Sequence, residues 1–552
     1  MRVLGILVPV LVSVVLGCGG GDTGDAERRL VFARGGFVLP ADEVDADGLD
    51  VVSGESGVAL TGRPLGSDRL FFEYPWEPGR EYVLVWGGSR QTLTAPIRPE
   101  PVAVAVVDLE KVHAGSVVSG GEPDASLAFS ADGTRLALGT FGGYLRVFDT
   151  RTGEPIFEKR FPGTVVKRVA LAADHTRVYA GELSYDGFVR ALDLATGDEL
   201  WRFRLADELE TSRPARPDDL FAIYAYPQVI CMRALGDDLI VDGMHSWKPA
   251  PDTPGRHLSR LYRFDGKSGR LRWCFPADAP LGRNILRFDV SGPSLAFILH
   301  QWETPAPDDP VPQSAVMLLD AATGAPLDTH VFRPLEPFFT TAPLWYGLAL
   351  DDAGDLAVGL MDGRAAIFHV DRSTGGSGKL RVVRRFDLAV PIEVSGVPIY
   401  AGAGWAAASG SLLFVCTDGR LTAPSAGGKK SVHADHPGSN TVFVFDGPTG
   451  ELLWQWKLTT TAQSVAAGAN VLAAATQQAY APDDPMDYGV TVLDVAAPGP
   501  PVQKLLYRYR TAGPVVALDV SPDGKTVAVV EAPVKLADTV TVVGKYRLHI
   551  LR

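Results

Sequence analysis

Across most of the chain, short apolar runs with alternating polar positions are broken by Gly, Asp and Pro. That period-two pattern predicts β-strands joined by tight turns. One phrase recurs. Val442–Trp454 reads VFVFDGPTGELLW, Val189–Trp201 reads VRALDLATGDELW, and Leu261–Trp273 reads LYRFDGKSGRLRW. Looser copies are LRVFDTRTGEPIF at Leu145–Phe157 and VMLLDAATGAPLD at Val316–Asp328. Each is an apolar strand ending in Asp, a turn closed by Gly, and a second strand. A phrase returning at intervals of about fifty residues marks an array of like units.

Taking each unit as four strands, starts fall near Ser126, Arg168, Val229, Ile285, Gly347, Gly404, Ser464 and Val515. Radial packing of such units is a β-propeller. The expectation is an all-β chain with an eight-bladed propeller over 102–552, seven blades being the alternative. The last unit lacks an outer strand, while an orphan strand, 102–109, precedes the first. Placing that strand in the last blade would remove a free edge and tie the ends of the ring together. Ser130-Ala131-Asp132-Gly133 and Ser521-Pro522-Asp523-Gly524 read as turns in which Gly takes positive φ. Trp201, Trp273 and Trp454 are expected to wedge between blades, each burying about 150–250 Å².

Residues 28–100 carry further short runs, among them Leu70-Phe71-Phe72 and Tyr82–Trp86. They predict a small N-terminal β-sandwich. The Trp76–Tyr82 stretch resembles the tyrosine corner of immunoglobulin- and fibronectin-like domains, in which the ring packs inside and its hydroxyl bonds a backbone group. That module is expected to act as a spacer or interaction module, joined through a stiff Pro99-Glu100-Pro101 linker.

The net charge of −13 disfavours nucleic acid, whose binding rests on Lys and Arg neutralising phosphates. The cysteines are Cys18, Cys231, Cys274 and Cys416, with no C-x-x-C spacing. The last three read as buried free thiols, a Cys231–Cys274 disulfide being the alternative.

Met1-Arg2 followed by the apolar run Val3–Leu16 has signal-peptide length, short of the ~20 residues of a membrane span. The run ends in Gly17-Cys18 and resembles a bacterial lipobox, which implies cleavage after residue 17 and lipidation of Cys18. Removing residues 1–17 takes Arg2 and leaves 51 basic against 65 acidic residues, a net charge of −14. Residues 18–27 are Gly- and Asp-rich and read as a flexible tether. The cell envelope, lipid-anchored and at the outer membrane, is the expected location.

The DxxTGxxxW phrase resembles the repeat of quinoprotein-like propellers. SADGTRLALG at Ser130–Gly139 looks like WD-repeat propellers. No Cys-Cys dipeptide accompanies the quinoprotein-like repeat, and Asn is scarce, so no quinone cofactor is expected. The plan of lipobox, tether and propeller is similar to the propeller lipoprotein of the outer-membrane β-barrel assembly machinery. That resemblance implies a non-enzymatic scaffold binding an envelope protein. Two alternatives remain: a periplasmic or surface enzyme acting in the axial channel, and a carbohydrate or matrix binder.

The turns after first and third strands are short, whereas the long insertions follow second and fourth strands. The insertions are 206–228, 246–259, 302–313, 334–345, 420–439, 478–488 and 532–545. One smooth face and one decorated face should result, with binding on the decorated one. Candidate partner-binding residues there are Phe221, Tyr224, Tyr226, Phe338, Phe339 and Trp345. Asp308-Asp309 and Asp483-Asp484 occupy near-identical Pro-bounded loops and are weak candidates for Ca²⁺, against a plain solvated turn. His245, His257, His300, His433 and His436 lie in or near the same loops without metal-ligand spacing. No catalytic residue is assigned.

Overall fold

A computed structural model of the chain describes residues 30–552 apart from 45–47, 54–55, 67, 88, 113–117, 120–121, 124–125, 213–224, 250–252, 254, 301–313, 341, 343, 373–377, 424–433, 478–486 and 536–539. Eight four-stranded antiparallel units follow one another from residue 126. Blade 1 is Ser126–Phe129, Arg135–Gly139, Tyr144–Asp149 and Pro155–Arg160. Blade 2 begins at Val165, blade 3 at Gln228, blade 4 at Asn284, blade 5 at Leu344, blade 6 at Trp405, blade 7 at Thr461 and blade 8 at Val515. Blades 2 and 3 are joined into one sheet only by the pair Leu183 and Gln228. The eight first strands pack side by side in sequence, and that of blade 8 meets that of blade 1. The chain is an all-β propeller.

The ring closes through the chain ends. Ala103–Asp108 runs antiparallel to Arg547–Leu551 and is the outer strand of blade 8. Arg547 pairs with Asp108 at 2.5 Å, and Val102 and Arg552 exchange backbone bonds of 3.2 and 2.8 Å. Strands from near both ends of the chain therefore sit in one sheet, and Arg547–Leu551 is not left as an edge.

The repeat phrase explains how blades lock. In the lower turns Asp149, Asp193 and Asp265 accept amide bonds from residues two and three positions on, at 2.9–3.2 Å. The turn glycine takes positive φ and lets the neighbouring blade close in. A Cβ on Gly269 would stand 2.6 Å from the Trp201 ring, and one on Gly324 would stand 2.8 Å from Trp273. Phe157 meets Gly197 in the same way, and Ala105 of the closing strand meets Gly153. The Trp201 and Trp273 indole N–H groups donate to the next blade at Gly266 and Ala321, at 2.9 and 3.1 Å.

Residues 31–94 form two four-stranded sheets around a core that includes Phe37, Phe72, Leu84 and Trp86. Gly36–Pro40 and Gly62–Leu65 are strands here that the sequence pattern left uncalled. Tyr82 is buried, and its hydroxyl accepts the Glu77 amide at 2.6 Å. The module packs directly on the propeller. Ala33, Val38, Leu65 and Phe71 share one core with Leu136 and Phe148 of blade 1 and Leu548 and Ile550 of blade 8. Gly66 donates to Arg151 at 3.2 Å, Arg34 bonds Gly524, and the Arg552 guanidinium lies 4.3 Å from the Phe71 ring. These contacts fall on the short turns, so the module caps the smooth face over the seam.

Cys231, Cys274 and Cys416 are free thiols, which excludes the Cys231–Cys274 disulfide. Cys231 points to the Phe288 carbonyl, 3.4 Å away, while Cys274 sits beside Ala277.

Candidate functional site

Antiparallel four-stranded blades put connections after second and fourth strands on one end of the ring. That end is opposite the N-terminal module, and it is built up into structure of its own. Ile392–Val394, Val397–Tyr400 and Leu421–Thr422 form an added three-stranded sheet between blades 5 and 6. Val534–Lys535 and Val542–Val543 form a small hairpin over blade 8. The stretch expected as a loop at 246–259 is strand at both ends, over six of its ten described residues. Asp238–Trp247 and Arg256–Asp265 pair along their whole length, so blade 3 projects beyond its neighbours.

The histidines brace these connections. The buried His245 ring lies 2.8 Å from both the Leu209 and Ala225 carbonyls and stacks on Trp247 at 3.9 Å. Burial depresses its pKa. The His436 Nδ1 accepts the Gly438 amide at 2.9 Å, and its Nε2 lies 3.0 Å from the Val390 carbonyl. His300 contacts the Ser314 hydroxyl at 3.1 Å. His245 ties loop backbone to the blade beneath it, His436 joins two loops, and His300 links paired strands.

The aromatic candidates separate. Tyr226 is half-buried and packs edge-on against Tyr185, itself 44% exposed, with ring centroids 6.1 Å apart. This pair presents aromatic surface on the decorated face. Phe339 is buried against Tyr400, with ring centroids 5.2 Å apart, Ala423 completing the cluster and Phe338 packed on its flank. Two neighbouring loops cover these rings, because a loop of that length buries its own aromatics when another loop reaches it. Trp345 lies within the strand Leu344–Leu350. Phe221, Tyr224, Asp308, Asp309, Asp483, Asp484 and Cys18 fall outside the described residues. Among the described residues, no group of three or more His, Cys, Asp or Glu is placed to hold a metal ion.

The axis is the other candidate. A channel of about 540 Å³ runs between the first strands. Blades 2, 3 and 4 line it with Arg168, Arg233 and Arg287. Blades 5, 6 and 7 line it with Ala349, Ala406, Ala407, Ala408, Ala466 and Ala467. Asp289 and Asp519 also reach it, but each is engaged by backbone. Asp289 accepts the Val290 and Leu350 amides at 3.0 Å. Asp519 accepts those of Val520 and Phe129 at 2.9 and 3.1 Å. The sequence pattern points to an axial channel but to none of these lining residues. A signal was present: Arg168, Arg233 and Arg287 fall on the first strands of three consecutive units, in VVKRVAL, QVICMRAL and NILRFDVS.

Residues 104–280 match the family model described as outer membrane protein assembly factor BamB. The match covers blades 1 to 3 and the closing strand. No curated protein matches the chain. Among solved structures, it is similar to the C-terminal WD40 domain of Sif2 at 15% identity and TM-score 0.47, over 82% of this chain and 97% of that one. It is similar to Saccharomyces cerevisiae Sqt1 at 10% identity and TM-score 0.46, over 77% and 94%. BamB from Moraxella catarrhalis aligns at 11% identity and TM-score 0.37, over 82% and 92%.

Proposed function

We propose that this chain is a non-catalytic, lipid-anchored protein of the cell envelope whose propeller is a scaffold for a protein partner. The decorated face is the binding surface. The observation that carries this reading is the asymmetry of the ring. Its turn face is capped by the N-terminal module, and its opposite face bears the long connections, two added sheets and the Tyr185–Tyr226 pair. Rigid scaffolds that carry elaborated loops concentrate binding there, and aromatic residues dominate such contacts. The match of residues 104–280 to an outer-membrane assembly factor model supports a protein partner in the envelope. The lipobox-like Cys18 supplies the anchor, and its thiol is the atom that would carry the lipid.

The test is capture from detergent-solubilised envelopes followed by reconstitution with the purified partner. Tyr185→Ala/Tyr226→Ala, and replacement of 213–224 and 424–433 by short Gly-Ser linkers, are expected to lose the partner while retaining the fold. A partner that binds these variants as tightly as the parent chain would remove the decorated face as the interface. Recovery of no envelope protein by the intact chain would sink the scaffold reading.

A further inference from the structure

The channel wall is electrostatically one-sided. Arg168, Arg233 and Arg287 come from the first strands of three consecutive blades, Val165–Leu171, Gln228–Leu235 and Asn284–Ser291. Each of these strands carries a register shift near its start, at Val166/Arg168, Val229/Cys231 and Ile285/Arg287. Counting from the shift puts Arg168, Cys231 and Arg287 at one level of the channel. Arg233 and Asp289 share the next level. A guanidinium therefore stands on each of three neighbouring strands within one quadrant of the axis.

These charges are under-compensated. Arg168 spends Nε and one terminal nitrogen on the Ile230 and Lys167 carbonyls, at 2.5 and 2.7 Å. Arg233 bonds the Met232 carbonyl at 3.3 Å and approaches Asp289 at 3.7 Å. Asp289 and Asp519 each already hold two amides, so two engaged carboxylates face three cations. The Arg287 Nε is buried and has no hydrogen-bond partner among the described residues. A guanidinium offers five donors, and a buried donor left unmade is costly. Arg233 lies deep in the molecule yet its side chain is 45% exposed, and the exposure is to the channel. Burial, and after it the charge of Arg233, lower the Arg287 pKa.

We propose that Arg168, Arg233 and Arg287 form a binding site for the oxyanion group, carboxylate or phosphate, of a small molecule that enters the axial channel. Guanidinium groups match planar or tetrahedral oxyanions with paired, charge-assisted bonds. The alanine arc opposite leaves room for the body of the molecule and gives it apolar contact. The volume of about 540 Å³ lies within the range of small-ligand sites. A structural arginine would be saturated by backbone carbonyls, whereas Arg168 gives them two of its five donors. The Arg287 Nε has no partner among the described residues. The inference does not depend on the scaffold reading, since it concerns the axis and not the loop face.

The experiment is thermal unfolding and isothermal titration calorimetry of the purified chain with citrate and, separately, inorganic phosphate at fixed ionic strength. A saturable rise in melting temperature and measurable heat are expected with at least one. Citrate alone assigns a carboxylate, phosphate alone a phosphate group, and both an unselective oxyanion site. Arg287→Met should weaken binding about ten- to hundredfold, while melting at or above the parent chain in the absence of anion. Arg233→Met should weaken it too, and serves if Arg287→Met does not fold. No saturable response to either anion, or an unchanged affinity in a folded arginine variant, overturns the proposal.

Discussion

Trp201 lies so close to Gly269 of the following blade that a Cβ there would stand 2.6 Å from its ring, and Gly269 has φ of 70°. Contact and backbone conformation both demand glycine. Gly269→Ala is expected to cost about 2–4 kcal/mol, through overpacking and left-handed strain together. Gly236 has φ of 56° with nothing within 4 Å of its missing Cβ. Gly236→Ala should cost only the conformational part, about 1–2 kcal/mol. Urea unfolding of both variants measures the difference, which is the contribution of blade contact. Equal losses would show that the indole yields freely.

Asp519 of blade 8 clamps the Phe129 amide of blade 1, and Asp289 of blade 4 clamps the Leu350 amide of blade 5. These are pegs between first strands. Asp519→Ala leaves two amides without their acceptor and should cost about 1–2 kcal/mol. Asp519→Asn keeps an acceptor oxygen and should recover part of the loss in the same melt. An alanine variant as stable as the parent would remove the peg role.

Asp418 gives a pH signature. Burial pushes its carboxyl up to about 7, above the ordinary value of 3.8. A folded value above the unfolded one means that the protonated group's stabilisation is full below about pH 4. It is lost as pH rises through about 7. Asp418→Asn should therefore stabilise the chain at pH 8, by an amount of the order of 4 kcal/mol, by less than half of that at pH 5, and change little below pH 4. Melting temperatures across that range check it, and a pH-independent difference would contradict it.

The opposite sign holds for Asp132. Burial would raise its carboxyl, but bonds from the Ser130 hydroxyl and from Thr134 outweigh it and hold the group down at about 2. That stabilisation is present above about pH 4 and lost as pH falls toward 2. Asp132→Ala should lower the melting temperature at pH 6 more than at pH 2.5. Equal shifts at both would show that its charge plays no part.

Phe71 is 1% exposed and belongs to the core shared by the N-terminal module and the closing seam. Phe71→Ala should cost about 3–5 kcal/mol. It should also open the module's contact with blades 8 and 1, read as faster amide exchange at Val102 and Val104. Destabilisation confined to the module would mean that the two bodies are energetically separate.

The propeller was legible because its repeat is made by local chemistry. Asp149 folds its own turn, Gly153 supplies the conformation, and the alternation of Tyr144–Asp149 fixes which side chains face a neighbour. Such rules act within a few residues and recur from blade to blade. The aromatic candidates were less legible for the opposite reason. Phe339 reads as a surface anchor until Tyr400, sixty-one positions later, covers it. No local pattern carries that information.

By itself, the sequence determined most strands and turns, the repeat period, an orphan strand before the first unit and the missing outer strand of the last. It also determined which connections are long. Only the tertiary structure decided that the N-terminal module shares a core with the seam. Only there do Arg168, Arg233 and Arg287, spread over 120 residues of chain, come to one side of the axis. The physical reason is range. Turn and strand preferences are set by neighbours in sequence, whereas burial and charge clustering depend on which surfaces the closed ring brings together.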